Sequence, residues 1–489
     1  MLEHTFKDYQ KKKTFSSFLS GIAGKMGIPL WAFYVNRGQL IASFGIRDKN
    51  GAMMEFFPAN QAYHFVSTIG FRTFVKLNGK VHEFFKEENA HQSLHIRQDQ
   101  VSILEKNETL GISVKVTYFT LPNASVAGLL RKVEIENLTD EEKDIEVIDG
   151  LAQMLPSGID YGGYKAISNL LQSWMSSVHE TNYVFYKLRA STGDSAEVNE
   201  VVDGNFYHTS AEVAPYYISD YKLIFEENTA LQTPYGFMTH TLKALTEMPQ
   251  THVNQVPCAM SGFEFKNLKK TTFVSLIGYA KDKQELTAFT DRLSLEVLLQ
   301  KEIENLEIHE SVVSAIETKT ESELLNNYYK QCYLDNVLRG GTPLLFETKS
   351  GTVGYHLYSR KHGDLERDYN FFSIEPAFYS QGNGNFRDVL QNRRNDLFFY
   401  PEIKDFNIYQ FTSLIQADGY NPLSIEGVKF TFHGTLKDYP KNLETILKKE
   451  FTPGEVATAL YNINHEVEET LKTILKESEV VVKANFGEG

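Results

Sequence analysis

The sequence predicts a chain that is β-rich first and helical afterwards: a large antiparallel β-sandwich, then linker helices, then a helical domain. Two observations carry this prediction. Between residues 30 and 290, short runs rich in β-branched and aromatic residues alternate with turn residues. Near residue 290, apolar residues begin to recur three and four positions apart, which is typical of helices. We therefore predict a β-sandwich domain at 1–290, a helical linker at 291–341 and a third unit at 342–489.

Length and composition agree with a folded protein of several units. The chain has 489 residues, and domains centre on roughly 100 to 150. Hydrophobic residues make up 42% and charged residues 23%, enough apolar material for sizeable cores. The 26 Tyr and 34 Phe stand beside only 2 Trp. Such rings suit sugar ligands, but an aromatic-rich sheet core is the more ordinary explanation.

The charge and the apolar pattern exclude several classes of partner. A net charge of -14 argues against nucleic acid, because phosphate binding needs clustered Lys and Arg. Two cysteines can form at most one disulfide, which is too few to stabilise a chain of this size. The low number fits a reducing compartment. No run of about 18 apolar residues is present, and the N-terminus lacks the apolar core of an export signal. We expect a cytoplasmic protein with neither a nucleic-acid partner nor a membrane partner.

Within the β-rich part, the segment LLRKVEIENLTDEEKDIEVIDGL gives the clearest strand pattern. Val133 and Ile135 alternate with charged residues, and Ile145 and Val147 resume the pattern after a polar turn. This arrangement predicts a hairpin.

Helical spacing marks three segments before residue 342: Tyr164–Ser177, Ser294–Glu307 and Glu321–Leu338. The first predicts a helix laid on the sandwich, with Ile167, Leu170, Leu171 and Trp174 as its apolar face. The other two predict linker helices, and the pair of glycines at 340 and 341 ends the second of them.

A further helix is predicted from Thr452, where Pro453 and Glu455 complete a capping box with proline at the first helical position. Its apolar residues, from Val456 to Ile474, fall on one face.

The densest group of polar residues lies between 355 and 423. Here Arg387 is followed by Asp388, and such a pair can hold several vicinal hydroxyls through fixed donors and acceptors. Arg367 and Asp368 form a second candidate pair by the same chemistry. The glycines of GNGNFRD would let the backbone approach a ligand closely. A helix start with a surface ion pair is an alternative explanation of this segment.

Other chemistries have no support in the sequence. There is no GxSxG segment, no P-loop and no GxGxxG after a strand. His356 lacks the spacing of zinc ligands and is interpreted as a structural or hydrogen-bonding residue. We predict no metal site and no cofactor.

Several long segments resemble one family. They are FLSGIAGKMGIPLWAFYVNRGQLIASFGI, FFPANQAY, STIGFRTF, HGDLERDYNFF and QGNGNFRDVLQNRR. They resemble the 1,2-β-oligoglucan phosphorylase branch of glycoside hydrolase family 94, which also holds cellobiose and chitobiose phosphorylases, and the similarity runs nearly end to end. The resemblance implies an N-terminal β-supersandwich, linker helices, an (α/α)6 catalytic barrel and a small C-terminal β domain.

The resemblance also implies roles for individual residues. In the family, the Arg-Asp of an (F/Y)RD-x-x-Q motif binds the glucosyl unit whose bond is broken, so Arg387 and Asp388 inherit that role with Gln391 beside them. Relatives usually carry Asn where this chain has Leu390. Cellobiose and chitobiose phosphorylases place a second Arg where this chain has Gln381, which favours the oligoglucan branch.

The resemblance also implies an activity, the phosphorolysis of β-1,2-glucooligosaccharides to α-glucose 1-phosphate. The reaction inverts the anomeric configuration and uses inorganic phosphate as co-substrate. Residues 342–489 are too few to close a barrel of twelve helices. We therefore expect an incomplete barrel, a general-acid Asp beyond Gly489, and a C-terminal fragment as the partner that completes the site. A non-catalytic glucan-binding protein and a phosphorylase-like part of a cyclic β-1,2-glucan synthase remain alternatives.

Overall fold

A computed structural model describes residues 3–87, 90–190, 200–361, 363 and 372–485. The strands before residue 342 are β1 (His4–Lys7), β2 (Ser16–Phe18), β3 (Trp31–Val35), β4 (Ile41–Gly45), β5 (Phe71–Leu77), β6 (Lys80–Glu83), β7 (His91–Ile96), β8 (Val101–Asn107), β9 (Ile112–Thr120), β10 (Ala127–Asn137), β11 (Ile145–Leu151), β12 (Met175–His179), β13 (Val184–Leu188), β14 (Gly204–Ala211), β15 (Tyr216–Ile218), β16 (Ala259–Phe265) and β17 (Lys270–Ala280). The helices of this part are α1 (Ala59–Ile69), α2 (Tyr161–Leu171), α3 (Lys222–Phe225), α4 (Tyr235–Thr239), α5 (Leu242–Thr246), α6 (Lys283–Thr290), α7 (Leu295–Val313) and α8 (Glu323–Gly340).

The remaining described residues form short elements. Their strands are β18 (Thr342–Thr348), β19 (Gly351–Leu357), β20 (Gly384–Asn385), β21 (Ser424–Ile425), β22 (Lys429–Phe432), β23 (Ser478–Val481) and β24 (Ala484–Asn485). Their helices are α9 (Phe386–Arg393), α10 (Asp396–Phe399), α11 (Phe406–Thr412), α12 (Lys441–Leu447), α13 (Pro453–Asn462) and α14 (Glu468–Lys476).

The predicted large antiparallel sheet is confirmed. In the described part of the chain it has nine strands, in the order β1-β7-β8-β9-β10-β17-β14-β13-β12. A second antiparallel sheet has the order β15-β16-β11-β5-β6. The two sheets face each other: the rings of Phe263 in β16 and Phe273 in β17 stack with centroids 4.5 Å apart, and those of Phe71 and Tyr118 lie 5.4 Å apart. Aromatic residues therefore do build the core between the sheets.

The predicted hairpin of β10 and β11 is wrong. β10 pairs with β9 and β17 in the nine-stranded sheet, whereas β11 pairs with β16 and β5 in the other sheet. Residues 138–144 cross from one sheet to the other. The apolar faces carrying Val133, Ile135 and Val147 meet in one buried cluster between the sheets. The alternation identifies a buried face correctly, but it does not specify the neighbouring strand.

The predicted insert helix is shorter and packs differently. α2 ends at Leu171, and residues 175–177 belong to β12. Ile167 has non-helical backbone angles, and its side chain is exposed. The buried side chains are those of Tyr164 and Leu171. Of the predicted apolar face, Leu171 and Trp174 do pack on the sandwich, whereas Ile167 and Leu170 are exposed.

The two predicted helices of the linker are present as α7 and α8. α7 continues six residues beyond the predicted end at Glu307, to Val313. α8 closes at the predicted glycines, and Gly341 has a φ of +89°, a conformation that favours glycine. The division of the chain into three domains remains a prediction.

Residues beyond 341 were expected to begin an (α/α)6 barrel. In the described part of this region, the helices are between 4 and 10 residues long and alternate with small antiparallel sheets. The barrel assignment therefore stays a prediction. The helix predicted from Thr452 is divided: α13 ends at Asn462, Ile463 is exposed, and Asn464 has a φ of +52° before α14 begins.

The capping box of α13 is confirmed. The Glu455 amide donates to Thr452 Oγ1 at 3.2 Å, and the Thr452 amide donates to Glu455 Oε2 at 2.8 Å. We expect Thr452→Ala to lower the free energy of unfolding by about 1 kcal/mol, because it leaves an amide of the first turn unpaired. Urea unfolding measures this. Thr445→Ala on the exposed face of α12 is the control, and equal effects of the two changes would contradict the assigned cap.

Among the described residues, no helix is both long enough and apolar enough to cross a lipid bilayer.

Cys258 is buried and Cys332 is exposed, and neither forms a disulfide.

Candidate functional site

The predicted pair Arg387 and Asp388 lies on the first turn of α9, where an acidic residue is favoured by the helix dipole. Arg387 Nε and Asp388 Oδ1 are 3.4 Å apart, and the two side chains are 82% and 41% exposed. An ion pair this long and this exposed contributes little to stability. Both groups are therefore accessible to a ligand.

The Asp388 carboxylate is oriented by its surroundings. Asn385 Nδ2 donates to Asp388 Oδ2 at 3.2 Å. Asn392 Nδ2 donates to the backbone carbonyl of Asp388 at 2.7 Å. Gln391 is on the same helix and is exposed. The structure thus brings Arg387, Asp388 and Gln391 onto one short helix.

An aromatic side chain is carried by the segment that meets the start of α9. The Phe386 amide donates to the Leu423 carbonyl at 3.0 Å, which joins α9 to the loop before β21. Tyr420 is in that loop and is 72% exposed. Exposed aromatic rings are frequent in sites that bind the apolar faces of sugars.

The glycines before Arg387 have a different role from the one predicted. A Cβ at Gly384 would collide with Val389 Cγ2, and one at Gly382 would lie 3.0 Å from the Ser359 carbonyl oxygen. The space beside both residues is filled by protein atoms. These glycines permit close packing of the chain on itself and do not open a path for a ligand.

Gln381 is the residue that the resemblance placed where cellobiose and chitobiose phosphorylases have a second Arg. Its side chain is buried and binds the backbone of Val428 twice: Nε2 donates to the carbonyl at 2.6 Å, and Oε1 accepts from the amide at 3.2 Å. Gln381 therefore has a structural role.

Arg367 and Asp368, the second predicted pair, lie outside the described residues.

Sequence reasoning missed a buried polar layer beneath α9. Arg393 Nε donates to the Gly340 carbonyl at 2.8 Å, and its Nη1 donates to Gln410 Oε1 at 2.7 Å. These bonds fix α9 to the end of α8 and to α11. Burial lowers the pKa of Arg393 to about 10, so the guanidinium remains charged at neutral pH.

His356 belongs to the same layer, as a hydrogen-bonding residue. Its Nε2 is 2.8 Å from Asp396 Oδ2, which also accepts from Asn407 Nδ2 at 2.9 Å. Burial first, and the charge of Arg393 second, lower the pKa of His356 to about 4. The imidazole is therefore neutral at pH 7 and donates to the carboxylate. The sequence predicts a structural or hydrogen-bonding role for His356, but it does not link His356 to Asp396.

No model of a known protein family matches the sequence, and no curated protein matches it either. Solved structures do match. A bacterial glucoamylase complexed with acarbose has a TM-score of 0.40 at 9% identity, over 84% of this chain and 51% of its own. A putative kojibiose phosphorylase from the human microbiome has a TM-score of 0.26 at 9% identity, over 82% of this chain and 42% of its own.

A family GH92 inverting mannosidase from Bacteroides thetaiotaomicron has a TM-score of 0.30 at 12% identity, over 68% of this chain and 41% of its own. All three are carbohydrate-active enzymes. This chain spans about half of the length of each, or less.

Proposed function

We propose that this chain is the N-terminal, glucose-binding part of an inverting glycoside phosphorylase that acts on β-1,2-glucooligosaccharides. The observation that carries the proposal is the accessible Arg387 and Asp388 pair at the start of α9. Their contact is too weak and too exposed to serve stability. The guanidinium and the carboxylate supply the donors and acceptors that vicinal hydroxyls require.

In the proposed reaction, an acid protonates the glycosidic oxygen while phosphate attacks the anomeric carbon from the opposite face. The bond between that carbon and the glycosidic oxygen breaks, and a bond to a phosphate oxygen forms. The products are α-glucose 1-phosphate and a shortened oligosaccharide. Arg387, Asp388 and Gln391 hold the glucosyl ring in place, and we assign the acid to no described residue.

The proposal includes a further protein segment that covers α10 and α11. Large apolar side chains are exposed there: Leu397 at 52%, Phe398 at 82%, Ile408 at 62% and Tyr409 at 53%. Soluble proteins rarely leave such a patch uncovered, because its contact with water is unfavourable. We propose a C-terminal fragment of the same enzyme as the segment that covers it.

We expect Arg387→Ala to weaken the binding of β-1,2-glucooligosaccharides at least tenfold, since a hydrogen bond to a charged group contributes about 1.5 to 3 kcal/mol. Titration calorimetry measures the affinity. Arg394→Ala is the matched control, because Arg394 is an exposed arginine just beyond the same helix. Equal affinities of the Arg387 variant and the unmodified protein would contradict the assigned site.

Turnover is tested separately, by incubating the chain with oligosaccharide and phosphate and measuring glucose 1-phosphate. The proposal expects no product from the chain alone and product once a C-terminal fragment is added. Rapid turnover by the chain alone would overturn the assignment of the acid to another segment. Binding that is never followed by turnover, even with the fragment, would favour a non-catalytic glucan-binding protein.

A further inference from the structure

A cavity of about 330 Å³ opens on the sandwich, between the loop after β4, the loop before α2 and the adjoining ends of β14 and β17. Its polar lining comes from Arg47, Asp48, Asp160, Asp203, Asn205 and Tyr279. We call it the Arg47 cavity. It shares no lining residue with the Arg387 site, and its volume is in the range of small-ligand pockets.

The loop that forms one wall of the Arg47 cavity is held by several hydrogen bonds. Trp31 Nε1 donates to the carbonyls of Ile46 and Asp48 at 3.2 and 3.1 Å. Asp48 Oδ1 accepts from the Asn50 amide at 2.8 Å, and Asn50 Oδ1 accepts from the Tyr161 amide at 3.1 Å. The wall is therefore tied both to a buried indole and to α2. A preformed wall reduces the entropy that a ligand loses on binding.

Arg47 itself has a strained backbone, with a φ of +60°. A residue other than glycine adopts this conformation at a cost of about 1 kcal/mol or more, and such residues cluster at functional sites. Its carbonyl accepts from the Ile374 amide at 2.8 Å, which helps to hold the conformation. Its side chain is exposed on the cavity, and no carboxylate of the described residues forms an ion pair with it.

The opposite wall offers acceptors. Asn205 is only 4% exposed, and its Nδ2 donates to the Leu155 carbonyl at 2.8 Å. In the described part of the chain, no donor binds the amide oxygen of this side chain. Asp203 Oδ2 accepts from Ser157 Oγ. The Asn205 amide oxygen is thus an acceptor that is available to a ligand in the cavity.

Tyr279 completes this wall and also bonds to Asp203. Burial first, and the negative charge of Asp203 next, raise the pKa of Tyr279 to about 12. Its hydroxyl therefore keeps its proton at neutral pH and acts as a donor or acceptor.

The chemistry of the lining selects a class of ligand. A single guanidinium stands among three carboxylates, which disfavours an anion such as a phosphate. The described residues contain no group of His, Cys, Asp and Glu that could hold a metal ion. A neutral molecule that both donates and accepts hydrogen bonds fits guanidinium, carboxylate, amide and phenol together. We propose that the Arg47 cavity is a second carbohydrate site, which binds one neutral hexose unit.

The two tryptophans allow a local measurement. Trp174→Phe leaves Trp31 as the single indole, and Trp31 is bonded directly to the cavity wall. We expect its fluorescence to change saturably when the protein is titrated with glucose or with sophorose, a β-1,2-linked disaccharide. Glucose 6-phosphate, the anionic comparison, is expected to bind more weakly.

Arg47→Gly in the same background removes the guanidinium, and glycine tolerates the positive φ, so folding is preserved. We expect about a tenfold weaker response to sugar, and a smaller loss for Tyr279→Phe. Arg292→Ala, which removes an exposed arginine before α7, and Arg387→Ala should leave the response intact. The proposal is overturned by the absence of a saturable response, by an unchanged affinity in the Arg47 variant, by loss of the response in the Arg387 variant, or by tighter binding of the sugar phosphate.

Discussion

Replacing Arg131 by Met is expected to lower the free energy of unfolding by about 3 to 5 kcal/mol, because the change leaves a buried charge without its partner. Arg131 in β10 is 1% exposed, and Asp149 in β11 is fully buried. The guanidinium forms an ion pair with Asp149 and donates to Thr73 Oγ1 at 3.0 Å and to the Tyr118 hydroxyl at 3.2 Å. These bonds join the two large sheets across the core.

The double variant Arg131→Met with Asp149→Leu is the informative control. Exchanging a whole buried pair for apolar residues of similar size is often neutral, so we expect most of the lost stability to return. Lys266→Met removes an exposed ion pair with Asp144 and should have no measurable effect. Urea unfolding of the four proteins tests the prediction. Arg131→Met and the double variant would be equally unstable if the loss came from packing alone.

The protein is also expected to lose stability as the pH falls from about 6.5 to 4, because of His356. The unfolded imidazole has a pKa of about 6.5, whereas burial holds the folded one at about 4. Between these values the unfolded state binds more protons, so stability rises with pH. The contribution of His356 to the free energy of unfolding is complete above pH 6.5, and about 3 kcal/mol of this free energy is lost by pH 4.

The variant His356→Gln isolates this contribution. It should be destabilised relative to the unmodified protein by about 2 to 3 kcal/mol more at pH 7.5 than at pH 4.5, because only the unmodified protein loses the contribution in acid. Urea unfolding at both pH values gives the difference. His64→Gln on the exposed face of α1 is the control. The same difference at both pH values would refute the assigned role of the imidazole.

The features that could be predicted from the sequence depend on neighbours along the chain. The capping box at Thr452 joins residues three positions apart, and the end of α8 depends on the conformation that Gly341 itself adopts. The pairing of β10 could not be predicted in this way. Its partners on the two sides, β9 and β17, are selected by contacts across the whole sandwich.

The candidate sites likewise contain some residues that are close along the chain and others that only the fold brings together. Arg387, Asp388 and Gln391 are found together because one helix carries them, so their spacing was sufficient to place them on one element. His356 and Asp396 are 40 positions apart and meet only in the folded protein. Four separate segments line the Arg47 cavity, and the sequence of each one alone indicates only an ordinary loop or strand end. Only the folded chain brings such groups together.

The position of β10 in its sheet has a consequence for biosynthesis. One edge of β10 pairs with β9, which precedes it closely in the chain. The other edge pairs with β17, which is synthesised much later; in this pair Val133 of β10 lies opposite Phe273 of β17. At translation rates of about 5 to 20 residues per second, roughly seven to thirty seconds separate the two strands on the ribosome. During that interval a long apolar strand has an open edge, which invites pairing with other chains. We expect the nascent protein to depend on chaperones at this stage.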